Sequence, residues 1–224
     1  MNIEVLTYDP ARYPFRKLIA GYIGRDDLED LRAAYDSDPA PENSLYKNME
    51  QSPVFQTMYD GLASPAGQEF YRTYEAFVRE VIRPQYAGPL YYQTKPSHRI
   101  LFADVPGQSR FHRDADYGHD PAEVNYWVTL TPAYDTNTIW IESEAGKADY
   151  RPVEVGPGQY VRFRGSTLAH GAKNNTTGRS RVSFDFRVIP ADQAPSAYRG
   201  EESTAGADES NPVRANALKF SYCA

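Results

Sequence analysis

Near its C-terminal third the chain alternates strictly. Arg181, Ser183, Asp185 and Arg187 fall on one face, and Val182, Phe184, Phe186 and Val188 on the other. This period of two predicts a strand with a polar and an apolar side. Residues 98–190 share its character, with short β-branched and aromatic runs broken by turn residues every 8 to 12 positions. Strands are predicted at 99–104, 109–113, 123–131, 137–144, 150–155, 159–164, 168–173 and 181–189. Gly156-Pro157-Gly158 and 174–178 read as turns. Eight strands with short links fit a jelly roll, in which two facing sheets manage the exposed edges.

Before residue 90 the spacing becomes helical. Asp26-Asp27 is predicted to cap a helix carrying Leu28, Leu31 and Tyr35. Ser64-Pro65 opens a second, which places Phe70, Tyr74, Phe77, Val78, Val81 and Ile82 on one face until Pro84 ends it. Residues 191–212 are polar and read as a loosely packed tail, while 217–222 regain apolar character suited to docking on the body or on a neighbouring subunit. The expected architecture is mainly β with flanking helices (α+β). A single domain spans 1–190, with a helical part at 1–90 packed outside a jelly-roll (double-stranded β-helix, cupin-like) core at 91–190. A polar tail follows at 191–224.

Composition narrows the class. Of 224 residues, 41% are hydrophobic and 24% charged, ordinary globular usage that excludes global disorder. The net charge of −6 argues against a nucleic-acid partner. A lone cysteine, Cys223, excludes a disulfide framework and a multi-cysteine zinc cage. No run approaches the ~18 apolar residues of a membrane span. The start, Met1 to Pro10, lacks the basic and apolar regions of a signal peptide, so a cytoplasmic location without membrane contact is expected. Subunit association is not legible.

Four histidines allow each to be weighed. His112 and Asp114 lie two apart on a predicted strand, so both side chains leave one face. His170 follows 58 positions later, at the start of another strand. A jelly roll can bring these together as two imidazoles and a carboxylate, the donor set of non-haem Fe(II) oxygenases. Eleven residues on, Arg181 offers a guanidinium fork for a carboxylate, and Ser183 a hydroxyl from the same face. Taken alone, His-x-Asp also describes a solvated strand end, and Arg181 a salt bridge across a sheet. His119 sits in a loop, and Cys223 has no histidine near it in sequence.

The runs Phe111-His112-Arg113-Asp114, 125–130, 136–143, His170-Gly171 and Arg181-Val182-Ser183 resemble the phytanoyl-hydroxylase-like Fe(II)/2-oxoglutarate-dependent oxygenases, in particular those of the streptomycin-biosynthesis type. The resemblance covers roughly residues 93–190. It implies His112, Asp114 and His170 as iron ligands, and Arg181 helped by Ser183 as the clamp for the far carboxylate of 2-oxoglutarate. The cosubstrate would chelate the metal and, with O2, leave as succinate and CO2. The presence of Asp114 disfavours halogenation, whose practitioners lack that carboxylate. Gln93, Ser97 and Arg99 form an arrangement similar to that of the ectoine hydroxylases, implying Gln93 and Arg99 in the cosubstrate pocket, although Ser97 stands where those enzymes have asparagine. Trp127 shares a face with Asn125 and Thr129, so it is expected either to wall that pocket or to pack in the core.

Charge suggests the substrate. Residues 102–156 carry ten acids and four bases, whereas 157–190 carry six bases and one acid. Acidic walls attract cations, in keeping with the small cationic, aminoglycoside-like substrate the resemblance implies. Asp116, Tyr117 and Glu142 are the candidate substrate contacts. Hydroxylation and oxidative ring closure such as orthoester formation both fit, as does hydroxylation of a free or modified amino acid. The rival class is a metal-free sugar-binding jelly roll whose histidines are incidental.

Overall fold

A computed structural model describes residues 3–34, 53–104, 110–198, 204–205 and 218–224. Four α-helices lie before residue 90 among the described residues: α1 (Phe15–Ile23), α2 (Leu31–Ala34), α3 (Pro53–Ala63) and α4 (Gln68–Phe77). Helix α1 buries Phe15, Ile19, Ala20 and Ile23, and stops at Gly24, whose φ of +73° is left-handed and whose N–H returns to the Ala20 carbonyl. The helix predicted from Asp26 starts later. Asp27 instead accepts from the Glu29 N–H at 2.8 Å, closing a turn, and α2 opens only at Leu31. Leu28 and Leu31 are nonetheless fully buried; Tyr35 lies outside the described residues. Ser64 does cap, accepting from Gly67 N at 3.3 Å through a 3-10 turn that leads into α4. After Phe77 the helix widens to a π-turn over Val78–Ile82 and tightens to 3-10 over Arg83–Gln85. Phe70, Tyr74, Phe77, Val78 and Ile82 are buried as expected, while Val81 is only partly so.

The strands are β1 (Glu4–Thr7), β2 (Leu90–Gln93), β3 (Ser97–Leu101), β4 (Val124–Thr129), β5 (Ile139–Ile141), β6 (Arg151–Pro152), β7 (Gln159–Phe163), β8 (His170–Ala172), β9 (Arg181–Pro190), β10 (Thr204–Ala205) and β11 (Leu218–Cys223). Every pairing is antiparallel. The large sheet runs β1-β7-β4-β9-β2-β11-β10, with β3 continuing beside β9 where β2 stops; a smaller sheet runs β6-β5-β8. Proline lacks the N–H a ladder needs, and Pro96 lies in the interruption between β2 and β3.

Two expectations are corrected here, and the docking expected of 217–222 on the body is met. The predicted strand at 109–113 is absent from its described part, where His112 makes one isolated bridge to His170 and Asp114–Tyr117 turns as a 3-10 helix. Residues 1–90 are not all helical, since β1 pairs with β7 from Glu4↔Arg162 to Thr7↔Gln159. The polar stretch ends in β11, which pairs with β2 from Phe220↔Gln93 to Cys223↔Leu90. Most of 199–217 lies outside the described residues.

Strand β9 is buried on both sides. Val182, Phe184, Phe186 and Val188 meet the helices, with Phe184 5.0 Å from Phe15 and Phe186 5.1 Å from Tyr74, ring centre to ring centre. On the other side of the large sheet, Trp127, Val161 and Phe163 pack with Ile141, Val153 and Leu168 from the small sheet and its neighbouring segments. The polar alternates of β9 therefore point between two sheets rather than into water. Among the described residues, no helix is long and apolar enough to cross a membrane.

Candidate active site

His112 and His170 are joined by backbone bonds in both directions, 3.0 and 2.9 Å. Asp114 follows at the first position of the 3-10 turn, anchored by its N–H to the Gly165 carbonyl at 2.8 Å. The result is one cluster: Asp114 Oδ1 lies 3.6 Å from Nε2 of His112 and 3.6 Å from Nε2 of His170. Each Nδ1 meets a carbonyl, Arg110 O at 2.8 Å for His112 and Leu168 O at 3.0 Å for His170. A carbonyl only accepts, so Nδ1 carries the proton in both rings and each Nε2 lone pair faces inward. Two imidazole nitrogens and a carboxylate oxygen are a donor set that fits a divalent transition-metal ion with open positions.

Asp114 is held from behind. Its Oδ2 accepts from Asn125 Nδ2 at 2.7 Å and from Arg187 Nη2 and Nε at 3.0 and 3.2 Å. Burial would raise the Asp114 pKa, but Arg187 and the histidines outweigh it and hold the carboxyl well below its usual range. Burial likewise lowers His170 despite Asp114 beside it. In His112, the nearby Asp114 carboxylate and the bond to Arg110 O overcome burial and leave the pKa raised. Asn125 also accepts from the Gly165 N–H at 3.1 Å, and a side chain at Gly165 would come within 2.7 Å of the Asn125 amide. Asn125 and Arg187 are cross-strand partners in the β4–β9 register, as are Trp127 with Asp185 and Thr129 with Ser183. The sequence reading gave Asn125 and Arg187 no role, although their shared inward faces on two alternating strands were the available signal.

A cavity of about 120 Å³ opens beside the cluster, walled by His112, Asp114, His170, Arg181, Trp127 and Arg99 among others. Arg181 donates to Ser183 Oγ at 2.8 Å and lies over the Trp127 ring at 5.3 Å. Among the described residues no carboxylate oxygen lies within 4 Å of it, and its Nε is buried without a partner. Burial, then the neighbouring Arg99, pull its pKa down to about 10. Ser183 is fully buried behind this guanidinium. Arg99 reaches the same cavity, paired with Asp185 at 3.0 Å. Trp127 serves both expected purposes, in the cavity wall and in the smaller core.

The remaining candidates divide. Gln93 lies away from the cavity wall, its amide nitrogen bonded to Lys95 O at 2.7 Å and Ser97 Oγ at 3.3 Å across the strand interruption. Glu142 is 1% exposed, and its two oxygens accept from Ala169 N at 2.7 Å and Ala148 N at 3.1 Å. That placement braces the segment before His170 and leaves no oxygen facing the cavity. Asp116 and Tyr117 are exposed, with the Tyr117 ring edge-on to His112 at 5.1 Å. His119 bonds Glu123 at 3.0 Å, away from the cluster.

No family model matches the chain. In fold it is similar to the non-heme monooxygenase ThoJ in its apo form, at 16% identity and a TM-score of 0.48 over 83% of this chain and 74% of that one. It is also similar to CytC3 with Fe(II) and alpha-ketoglutarate, at 12% identity and a TM-score of 0.46 over 84% and 74%. Likenesses this distant do not bear on chemistry. In sequence, the chain is 35% identical over 188 residues, 83% of each protein, to the streptomycin biosynthesis protein StrG of Streptomyces griseus. At that identity and coverage, the chain belongs to the StrG family.

Proposed function

We propose that the protein is an Fe(II)- and 2-oxoglutarate-dependent dioxygenase with a jelly-roll core, acting on an aminoglycoside-type natural product in the cytoplasm. The observation that carries this reading is Arg181, a buried guanidinium that forms no ion pair with a carboxylate among the described residues, in one cavity with a His-Asp-His cluster. A buried cation without a counter-charge is unfavourable, and an acidic ligand relieves it. Counting the lining charges, Arg99, Arg181 and Arg187 outnumber Asp114 and Asp185 even before a metal is added. That balance suits a small dianion.

In this reading His112, Asp114 and His170 hold the metal through Nε2, Oδ1 and Nε2. Iron held there would activate O2, which takes two electrons from 2-oxoglutarate, giving succinate and CO2, and two from a substrate C–H bond. Arg181 grips the far carboxylate, its fork kept in place by Ser183 and its face by Trp127. Ile139, Phe163 and Ala172 give the cavity an apolar side that limits water. In this reading Asp116, exposed and paired with Arg113, and Tyr117, whose ring meets His112, contact an ammonium and a sugar hydroxyl of a small cationic substrate. The relative's role in streptomycin biosynthesis supports this substrate class. The oxidation is hydroxylation or ring closure, the latter of the kind that forms the hygromycin B orthoester.

Purified protein supplied with Fe(II), 2-oxoglutarate and a panel of aminoglycosides is expected to release succinate and to shift one substrate's mass by +16 or −2. A shift only on amino acids would move the substrate assignment. Absence of succinate and product with every compound, from metal-loaded protein, would refute the oxygenase reading.

A further inference from the structure

Behind Asp114 the polar contacts continue well past the cavity. Arg187, which holds Oδ2, is itself met by Glu123 Oε2 at 3.5 Å from its Nε. Glu123 is 1% exposed, and its carboxylate accepts from Tyr198 Oη at 2.5 Å and meets His119 Nδ1 at 3.0 Å. Tyr198 is 4% exposed, and its ring lies 4.6 Å from that of Phe220 on β11. A continuous buried path thus runs from the putting-in-place of one carboxylate oxygen to the last strand of the chain.

Two features separate this path from ordinary core polarity. Buried ion pairs add little net stability, because desolvation offsets their attraction, and fixed geometry is their better-attested contribution. The path also ends on the one oxygen of Asp114 that faces away from the histidines. With three donors on Oδ2, the carboxylate cannot rotate without breaking several charge-assisted bonds, so Oδ1 stays towards both Nε2 atoms. Arg187 is held as well: Glu123 lies beside the Nε that donates to Asp114, and Asp185 lies 4.0 Å from Nη1. Tyr198 in turn fixes Glu123, and Phe220 fixes the Tyr198 ring.

We propose that Arg187, Glu123 and Tyr198 form a positioning chain that locks the Asp114 carboxylate for metal binding, so that the metal affinity of the centre depends on the C-terminal segment. The proposal rests on the metal-centre reading above. None of the three is a metal ligand; Arg187 also lines the cavity, whereas Glu123 and Tyr198 lie outside it and act only through their neighbours. Outer partners of metal ligands typically change affinity 10- to 100-fold when altered.

The test is titration of metal-free protein with Co(II), followed by the visible absorption of the bound ion, with urea unfolding of each metal-free form alongside. Arg187→Lys keeps the charge and loses the fork; about 10- to 100-fold weaker Co(II) binding is expected. Glu123→Gln and Tyr198→Phe preserve shape, and Tyr198→Phe also preserves the ring contact with Phe220. Both are expected to weaken Co(II) binding in the same direction and to alter the bound spectrum. The effects of Arg187→Lys and Tyr198→Phe should be non-additive, as expected of one chain. Should Arg187→Lys not fold, Tyr198→Phe decides. Wild-type Co(II) affinity and spectrum in Glu123→Gln and Tyr198→Phe, whatever their unfolding midpoints, would overturn the proposal. Failure of the unaltered protein to bind Co(II) would instead overturn the metal-centre reading.

Discussion

His98 is buried and the two cluster histidines are half-buried, and their surroundings give them different behaviour. The His98 ring lies among Phe70, Phe184 and Tyr59, and neither nitrogen has a hydrogen-bond partner among the described residues. Burial pushes its pKa down to about 4. The unfolded chain therefore takes up a proton here before the folded one does. The contribution is complete above about pH 6.5 and is lost as pH falls towards 4, amounting to about 2 kcal/mol by pH 5. His98→Phe should abolish this part of the pH dependence, which urea unfolding at pH 7.5 and pH 5 would measure. An equal pH loss in the variant would contradict the assignment. At this scale the sequence was most informative where residue types were scarce. Four histidines and one His-x-Asp, read together with Arg181, Ser183 and the family resemblance, singled out His112, Asp114 and His170, which the structure brings into one cluster. Asn125 and Arg187 were visible as members of polar faces, but a face does not say which oxygen a side chain will reach.

Local elements were legible in β4, β7 and β9, which are long enough and rich enough in β-branched and aromatic residues to stand out from the turns around them. Short edge pieces were not. In β1 only four residues pair, on one side and half exposed, so the pattern barely differs from a loop. The convergence of His112 with Asp114 was anticipated from a strand that is not there: a bridge to His170 and a 3-10 turn aim both side chains at the same point. Glu142 illustrates how a sequence candidate can belong to the scaffold. Its backbone N–H bonds Ala169 O at 3.0 Å while its side chain accepts from Ala169 N, adding one rung beyond the Ile141↔His170 pair. Glu142→Ala should therefore lower unfolding free energy by about 1–3 kcal/mol, the penalty for leaving such donors unpaired. Urea unfolding checks this. Unchanged stability with a raised substrate KM would instead make Glu142 a substrate contact.

Across the whole molecule, one sheet separates two apolar cores, the larger against the helices and the smaller against the three-stranded sheet. The cavity lies on the smaller side, where polar alternates of β3, β4 and β9 meet β8. Charge counted by segment could not locate it. Of the ten acids in 102–156, Asp114 alone lines the cavity, because the others face outward or are engaged elsewhere, such as Glu123 and Glu142. The cavity itself is rich in arginine, and the central claim is that it is built for a metal and a diacid together. The most direct measurement is calorimetric titration of 2-oxoglutarate into Fe(II)-loaded protein without oxygen, for the unaltered chain and for Arg181→Met. The account predicts metal-dependent binding that weakens about 10- to 100-fold in Arg181→Met, with Fe(II) affinity unchanged. Equal 2-oxoglutarate affinity in the two proteins, or binding indifferent to the metal, would contradict it.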